Sequence, residues 1–232
     1  MHNELIRPGH FQRPVAADSR RMAFDYYNDA VLVLGIKPNF VFIGDSITEF
    51  WDLPLFFGRD KVLLNRGIGG DVPEFILKRF EADVLQLKPE YCVMMAGTNC
   101  ANQMMDNIWI GTKGESFEKV TGKVIADLTA AVDLCISAGQ KLILGAITPA
   151  IVPPGDHRNE MILNVNERME AYCREHRSNG IYFVDYHTPM YDVETKMMRA
   201  DCTTDGIHPD ARGFRVMTNV LRETLRGYGI EI

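Results

Sequence analysis

Ser46 is the residue on which chemistry would turn. It lies in Phe40-Val41-Phe42-Ile43-Gly44-Asp45-Ser46-Ile47-Thr48. The apolar run reads as a short buried strand that ends at Gly44. Ile47 to Trp51 can then begin a helix before Leu53-Pro54 stops it. A serine between a strand's carboxyl end and a helix's amino end has free N–H groups and partial positive charge beside it. Both favour an anion forming there. The setting suits a nucleophile, and it equally suits an N-cap serine closing a βα turn.

A serine hydroxyl is a poor nucleophile at neutral pH and needs an oriented base within hydrogen-bond reach. The chain has six histidines. His2 and His10 fall in an irregular N-terminal stretch, His157 lies in a charged loop, and His176 closes a helix, where a cation meets the dipole favourably. His187 follows the fifth strand. His208 differs from these because Asp205 precedes it by three positions. On a tight turn that carboxylate bonds one ring nitrogen and leaves the other facing outward. The structural alternative is that Asp205 caps a turn and His208 opens the helix at Pro209.

Acyl transfer also needs donors aimed at the charge that develops on the substrate oxygen. Three groups qualify: the Ser46 N–H, the Gly70 N–H where no Cβ blocks approach, and the Asn99 side-chain amide. Gly70 could instead supply a positive φ before a helix, and Asn99 could cap its loop. Cys100 lies beside Asn99, but nothing adjacent would lower its pKa. No His, Cys or Asp cluster has metal-ligand spacing, so neither a metal nor a cofactor is expected.

The elements that must position these groups alternate regularly. After an irregular lead-in over residues 1–17, Asp18 or Ser19 caps a helix with Ala23, Tyr26/Tyr27, Ala30/Val31 and Leu34 on its apolar face. Strands are predicted at Phe40 to Ile43, Lys61 to Asn65, Tyr91 to Ala96, Lys141 to Ile147 and Ile181 to Asp185. Between them run amphipathic helices. Asp71 caps one of these, with Pro73 in its first turn and Glu74 in a capping-box position, and Ile76, Phe80, Val84 and Leu87 form its face. Phe117 to Cys135 forms a second helix, closed by Gly139. Ile162, Val165, Met169 and Tyr172/Cys173 mark a third. His187 to Thr204 reads as irregular, and Phe214, Met217, Val220/Leu221 and Leu225 define the last helix.

Strand and helix alternating without a linker predict one α/β domain over residues 18–232. Its plan is a doubly wound, parallel five-stranded sheet in a flavodoxin-like three-layer sandwich. Ligands bind such sheets at the strands' carboxyl ends. Ser46, Gly70 and Asn99 follow strands one, two and three, so they should line one edge.

Composition narrows the partners. At 46 % hydrophobic and 24 % charged residues the chain can build a core. A net charge of −6 argues against nucleic-acid binding. No apolar run is long enough for a membrane span, and the amino terminus lacks a signal-peptide layout. The five cysteines contain no Cys-x-x-Cys pair. Cys92, Cys135 and Cys173 are expected as core thiols, and a reducing cytoplasm fits them best.

Taken together, Gly44-Asp45-Ser46, Gly69-Gly70-Asp71, Gly97-Thr98-Asn99 and Asp205-x-x-His208-Pro209 resemble the ordered blocks of the SGNH, or GDSL, hydrolases, with Ile47 where the family name has Leu. Asn65 to Asp71 and Gly97 to Asn99 look especially like the catalytic subunits of intracellular platelet-activating-factor acetylhydrolases. The resemblance runs from about residue 38 to about residue 226. It implies an SGNH hydrolase fold with Ser46 as nucleophile, His208 as general base and acid, and Asp205 as its orienter. Ser46, Gly70 and Asn99 then form the oxyanion hole. Asp45 and Thr48 hold the loop by side-chain bonds to backbone.

One departure is Cys100, where many members have Asp after the Asn. The donor is kept, and what the change touches is the support for its orientation. The implied activity is hydrolysis of small carboxylic esters: short acyl or acetyl esters, acetylated sugars or lysolipids. The competing class is a non-catalytic flavodoxin-like module binding phosphate or flavin at the same edge, although no Gly-x-Gly-x-x-Gly or Gly-Lys-[Ser/Thr] pattern is present. Loops 100–115 and 148–160 should wall the pocket; Ile108, Trp109 and Ile110 could form an apolar lip there or, the favoured reading, anchor the first loop in the core. No lid-like apolar helix is evident, which favours short acyl chains. A homodimer is the ordinary default, and no surface feature identifies its interface.

Overall fold

A computed structural model of the chain describes residues 5–7, 16–106 and 113–232. Its helices are α1 (Ala16–Val33), α2 (Ser46–Phe50), α3 (Leu53–Phe57), α4 (Pro73–Asp83), α5 (Phe117–Ala138), α6 (Arg158–Glu175), α7 (His187–Met190) and α8 (Ala211–Gly227). Strands β1 (Phe40–Gly44), β2 (Leu63–Gly67), β3 (Tyr91–Met95), β4 (Leu142–Gly145) and β5 (Ile181–Val184) form one sheet in the order β2-β1-β3-β4-β5. Every neighbouring pair is parallel. The chain winds outward from β1 to β2, then returns to place β3 on the other side of β1. That reversal makes the carboxyl ends of β1 and β3 the natural binding edge.

Side chains alternate across the sheet and build the expected three layers. Val41, Ile43, Cys92, Met94, Leu142 and Leu144 pack against Ile76 and Phe80 of α4, Val124 and Leu128 of α5, and Ile162 and Val165 of α6. Phe40, Phe42, Val93, Met95 and Ile143 pack instead against Ile47, Trp51 and Phe57, and against Phe214, Met217, Leu221 and Leu225 of α8. Burying a side chain of this size contributes about 1.5–3 kcal/mol each, so these two clusters hold the sheet edge in place. The predicted apolar faces of α4, α5, α6 and α8 are the buried ones. Gly139 closes α5 at φ +67°, accepting the left-handed conformation a helix end demands. All five cysteines are free thiols and buried.

Several local expectations are corrected. α1 starts at Ala16, before the proposed Asp18 or Ser19 cap. Its Tyr26, Tyr27 and Leu34 are exposed, and its inward face is Arg21, Phe24, Asn28 and Val31. The helix buries Arg21 and Asn28 in a polar network alongside the apolar Phe24 and Val31, so the periodicity of Tyr26, Tyr27 and Leu34 points to the wrong face. β2 begins at Leu63 and runs to Gly67, later than predicted, and β4 stops at Gly145. Asp71 does not cap α4. Val72 takes the N-cap position without a side-chain bond, and the Asp71 carboxylate turns inward to Arg79. The segment from His187 to Thr204 is not irregular: it forms α7 and a hairpin of β6 (Tyr191–Asp192) and β7 (Met197–Met198). Strands that short carry no readable period. α8 opens at Ala211, with Asp210 as its N-cap accepting from the Arg212 and Gly213 N–H groups.

Among the described residues no helix is long and apolar enough to cross a membrane. Ile108, Trp109 and Ile110 lie outside the described residues, as do His2 and His10.

Candidate active site

β1 delivers its carboxyl end at Gly44, and the chain turns at once into α2. Asp45, not Ser46, is the N-cap of that helix: its Oδ1 accepts from the Ile47 N–H at 3.0 Å. The Ser46 hydroxyl is therefore free of capping duty. As the first helical residue, Ser46 also has no intrahelical acceptor for its N–H. The turn is tight enough to require glycine on both neighbouring strands. A Cβ at Gly44 would stand 2.2 Å from Thr48 Oγ1, and one at Gly67 would stand 2.1 Å from the Glu49 N. Thr48 is buried against Gly44, and its carbonyl accepts from Asn65 Nδ2 at 2.7 Å.

The sequence-distant His208 meets this serine. Ser46 Oγ and His208 Nε2 are 2.8 Å apart, and His208 Nδ1 is 2.6 Å from Asp205 Oδ2. Asp205 is held by its own turn, because its Oδ1 accepts the Ile207 N–H at 2.9 Å and the His208 N–H at 2.8 Å. Burial opposes ionisation of Asp205, but the His208 ring and those two amides outweigh it and hold the carboxyl well below the usual range. Thr203 completes the turn: its hydroxyl donates to the His208 carbonyl at 2.7 Å and accepts the Gly206 N–H at 3.0 Å. The Phe50 ring leans on the imidazole with centroids 5.2 Å apart. With Nδ1–H directed at Asp205, Nε2 is left as the acceptor facing Ser46. The loop over residues 148–160 lies against the same turn, through a 2.7 Å bond from the Ile151 N–H to the Gly206 carbonyl.

The proposed oxyanion donors gather on the other side of Ser46. A Cβ at Gly69 would stand 3.7 Å from Ser46 Cβ, so the loop after β2 passes directly beside Ser46. The Gly69 N–H is already taken by Glu49 Oε2 at 2.6 Å, and Arg20 pairs with the same carboxylate. The Gly70 N–H enters none of the hydrogen bonds among the described residues, and Gly70 is exposed at φ +79°. Asn99 follows β3 in a 3₁₀ turn, Thr98–Met104, and its Nδ2 donates to the Asp71 carbonyl at 3.0 Å. An amide has two N–H groups, so one remains for a ligand.

Sequence reasoning missed the residues that brace this side. Arg158 donates to the Thr98 carbonyl at 2.9 Å and to Asn102 Oδ1 at 2.8 Å, which fixes the turn bearing Asn99. Arg79, fully buried, links Asp71 to the ends of β1 and β2. Asp45 is buried too, and desolvation pushes its carboxyl up to about 7, the Ile47 amide opposing and Asp71 adding to the rise. Burial pushes the Cys100 thiol up to about 12, which removes it as a competing nucleophile. His187 is not brought to Ser46. It is buried with its ring 4.9 Å from Tyr191, and desolvation lowers its pKa.

The arrangement can activate a hydroxyl, pass its proton to a leaving group and stabilise an oxyanion. Comparison with known proteins agrees in kind. Residues 42–216 match the model of the GDSL-like lipase/acylhydrolase family. A GDSL-like lipase from Bacteroides thetaiotaomicron is 28% identical, with 92% of this chain and 100% of that one covered and a TM-score of 0.73. A candidate platelet activating factor from Streptococcus pneumonia, 21% identical, shares the fold at a TM-score of 0.71 over 92% of this chain and 94% of that one. So does an acetylxylan esterase from Geobacillus stearothermophilus, 19% identical, at a TM-score of 0.61 over 84% and 97%. A search of curated proteins returns no match.

Proposed function

The chain belongs to the GDSL-like lipase/acylhydrolase family and is a hydrolase acting on esters, and we propose that it cleaves small carboxylic esters through an acyl-enzyme on Ser46. The observation that carries this reading is the continuous relay from Ser46 Oγ to His208 Nε2 and from His208 Nδ1 to Asp205, at 2.8 Å and 2.6 Å. Ser46 Oγ attacks the ester carbonyl while His208 Nε2 takes its proton, and Asp205 stabilises the imidazolium that forms. The tetrahedral oxyanion is received by the Ser46 and Gly70 N–H groups and by Asn99 Nδ2. His208 then returns the proton to the departing alcohol, leaving Ser46 acylated. Water repeats the cycle in reverse roles and frees the acid.

The same relay disfavours a phosphate- or flavin-binding module, which has no use for a base held against a buried serine. Short acyl esters such as acetyl or butyryl are the proposed substrates, with an acetylated sugar or a lysolipid as candidate natural forms. A fluorophosphonate probe tests the reading. It should label the wild-type protein at Ser46 and fail to label Ser46→Ala, and labelling at any other residue contradicts the assignment. Hydrolysis of butyryl ester should continue in EDTA and exceed that of palmitoyl ester. Loss in EDTA restored by zinc or manganese would overturn the mechanism.

A further inference from the structure

Arg79 makes contacts that a structural core residue does not need. It lies on α4 one position before Phe80, is fully buried, and reaches the backbone of two different strands. One Nη2 hydrogen bond of 3.1 Å goes to the Gly44 carbonyl, two residues before Ser46. An Nη1 bond of 2.8 Å goes to the Arg66 carbonyl on β2, which leads into the Gly67–Gly70 turn. Nε donates at 2.8 Å to Asp71 Oδ2, immediately after Gly70, and the Asp71 carbonyl in turn accepts from Asn99 Nδ2. A single planar guanidinium thus binds, directly or through Asp71, each of the segments that carry the oxyanion donors. Such a fork fixes angles as well as distances, which a lysine's point charge cannot do.

We infer that Arg79 is a positioning residue for the oxyanion hole, setting the mutual placement of the Ser46 N–H, the Gly70 N–H and the Asn99 amide. Asn99 is oriented by the Asp71 carbonyl, and the carboxylate of that same residue is the one Arg79 holds. The inference rests on the oxyanion assignment made above. Arg79 never touches substrate. Its effect is transmitted through donors that must sit within a few tenths of an ångström of the developing charge. The partner on its other side, Asp83, which accepts from Nη1 at 3.0 Å, leads away from the site toward Arg21 and Asn28.

A double-mutant cycle between Arg79→Lys and Asn99→Ala separates positioning from mere folding. Rates with p-nitrophenyl acetate are expressed per serine titrated by fluorophosphonate, so unfolded molecules do not count. Arg79→Lys should lower kcat by roughly 10–10²-fold with KM within about twofold. Asn99→Ala should lower it by roughly 10²–10³-fold. The double variant should fall only a few-fold below Asn99→Ala, because the lysine spoils a hole already broken. Thermal midpoints of the same proteins should instead fall additively. Losses in kcat that multiply in full, or an Arg79→Lys variant with wild-type kcat, would overturn the inference. Asp71→Asn, which weakens the same link with little change of shape, should repeat the sub-additive pattern and overturns the inference if it does not. Should Asn99→Ala itself keep full activity, the oxyanion assignment fails first, and that outcome is distinct.

Discussion

The two flanks of Ser46 are built on opposite principles. On the proposed acid–base flank, the His208 and Asp205 side chains are 31% and 53% exposed, and nearly all their bonds come from within residues 203–208. On the proposed oxyanion flank, Arg79 and Asp71 are at 0% side-chain exposure, and their bonds join segments far apart in the chain. The first is a local turn that holds the imidazole near water, where a proton can leave and return. The second is a rigid frame for donors that must not move while charge develops. Mobility of protons and immobility of dipoles thus divide the site along β1.

This division predicts how each flank fails. The largest effect should come from Ser46→Ala and His208→Ala, each removing almost all of the acyl-enzyme route, with the double variant no worse than either single one. Because His208 is partly exposed and locally held, His208→Ala should leave the thermal midpoint almost unchanged. A large drop in that midpoint would erase the contrast between the flanks. Asp205→Asn should come next. It keeps the turn but favours the wrong imidazole tautomer, so kcat should fall by more than for Asn99→Ala while stability holds.

Two smaller predictions address buried groups. His187→Ala should leave kcat within about twofold yet cost roughly 2 kcal/mol of stability by emptying a buried site. Loss of activity there, with His208→Ala spared, would move the base to His187 and its partner to Asp185. Asp45 gives the smallest effect and concerns pH. Its folded pKa is raised to about 7 by burial. Between about pH 4, where the unfolded carboxyl ionises, and pH 7 the native state therefore binds the extra proton. The contribution of Asp45 to stability therefore falls as pH rises through that window. Asp45→Asn, which can still accept from the Ile47 amide, removes the titration. Its thermal midpoint should gain on wild type as pH rises from about 4 to about 7, and a gap independent of pH would refute the assignment.

The same contrast explains what could be read without a structure. The Asp205–His208 contact is legible because its bonds span only a few residues; the spacing alone leaves a turn cap open, and the resemblance chooses between the two. β1, β3 and the faces of α4, α5, α6 and α8 were legible from periodicity, since apolar burial decides them. The oxyanion frame was not. Asp71 looked like a helix cap because Pro73 and Glu74 follow it, and only the tertiary partner Arg79 shows it turned inward. One signal was available: Arg79 and Asp83 lie four apart among the apolar positions Ile76, Phe80 and Val84, where a solvated pair has no place. α1 misled for the same reason, with Arg21 and Asn28 inward and Tyr26 outward. Long-range polar networks leave no period.

The central claim is that the ester's acyl group passes through Ser46. Rapid acid quenching of the protein during turnover of p-nitrophenyl acetate, followed by peptide mapping, tests it directly. One acetyl group should be found on the peptide containing Ser46, appearing within the first turnover and absent from Ser46→Ala. An acetyl group on another residue, or turnover by Ser46→Ala at the wild-type rate, would contradict the account.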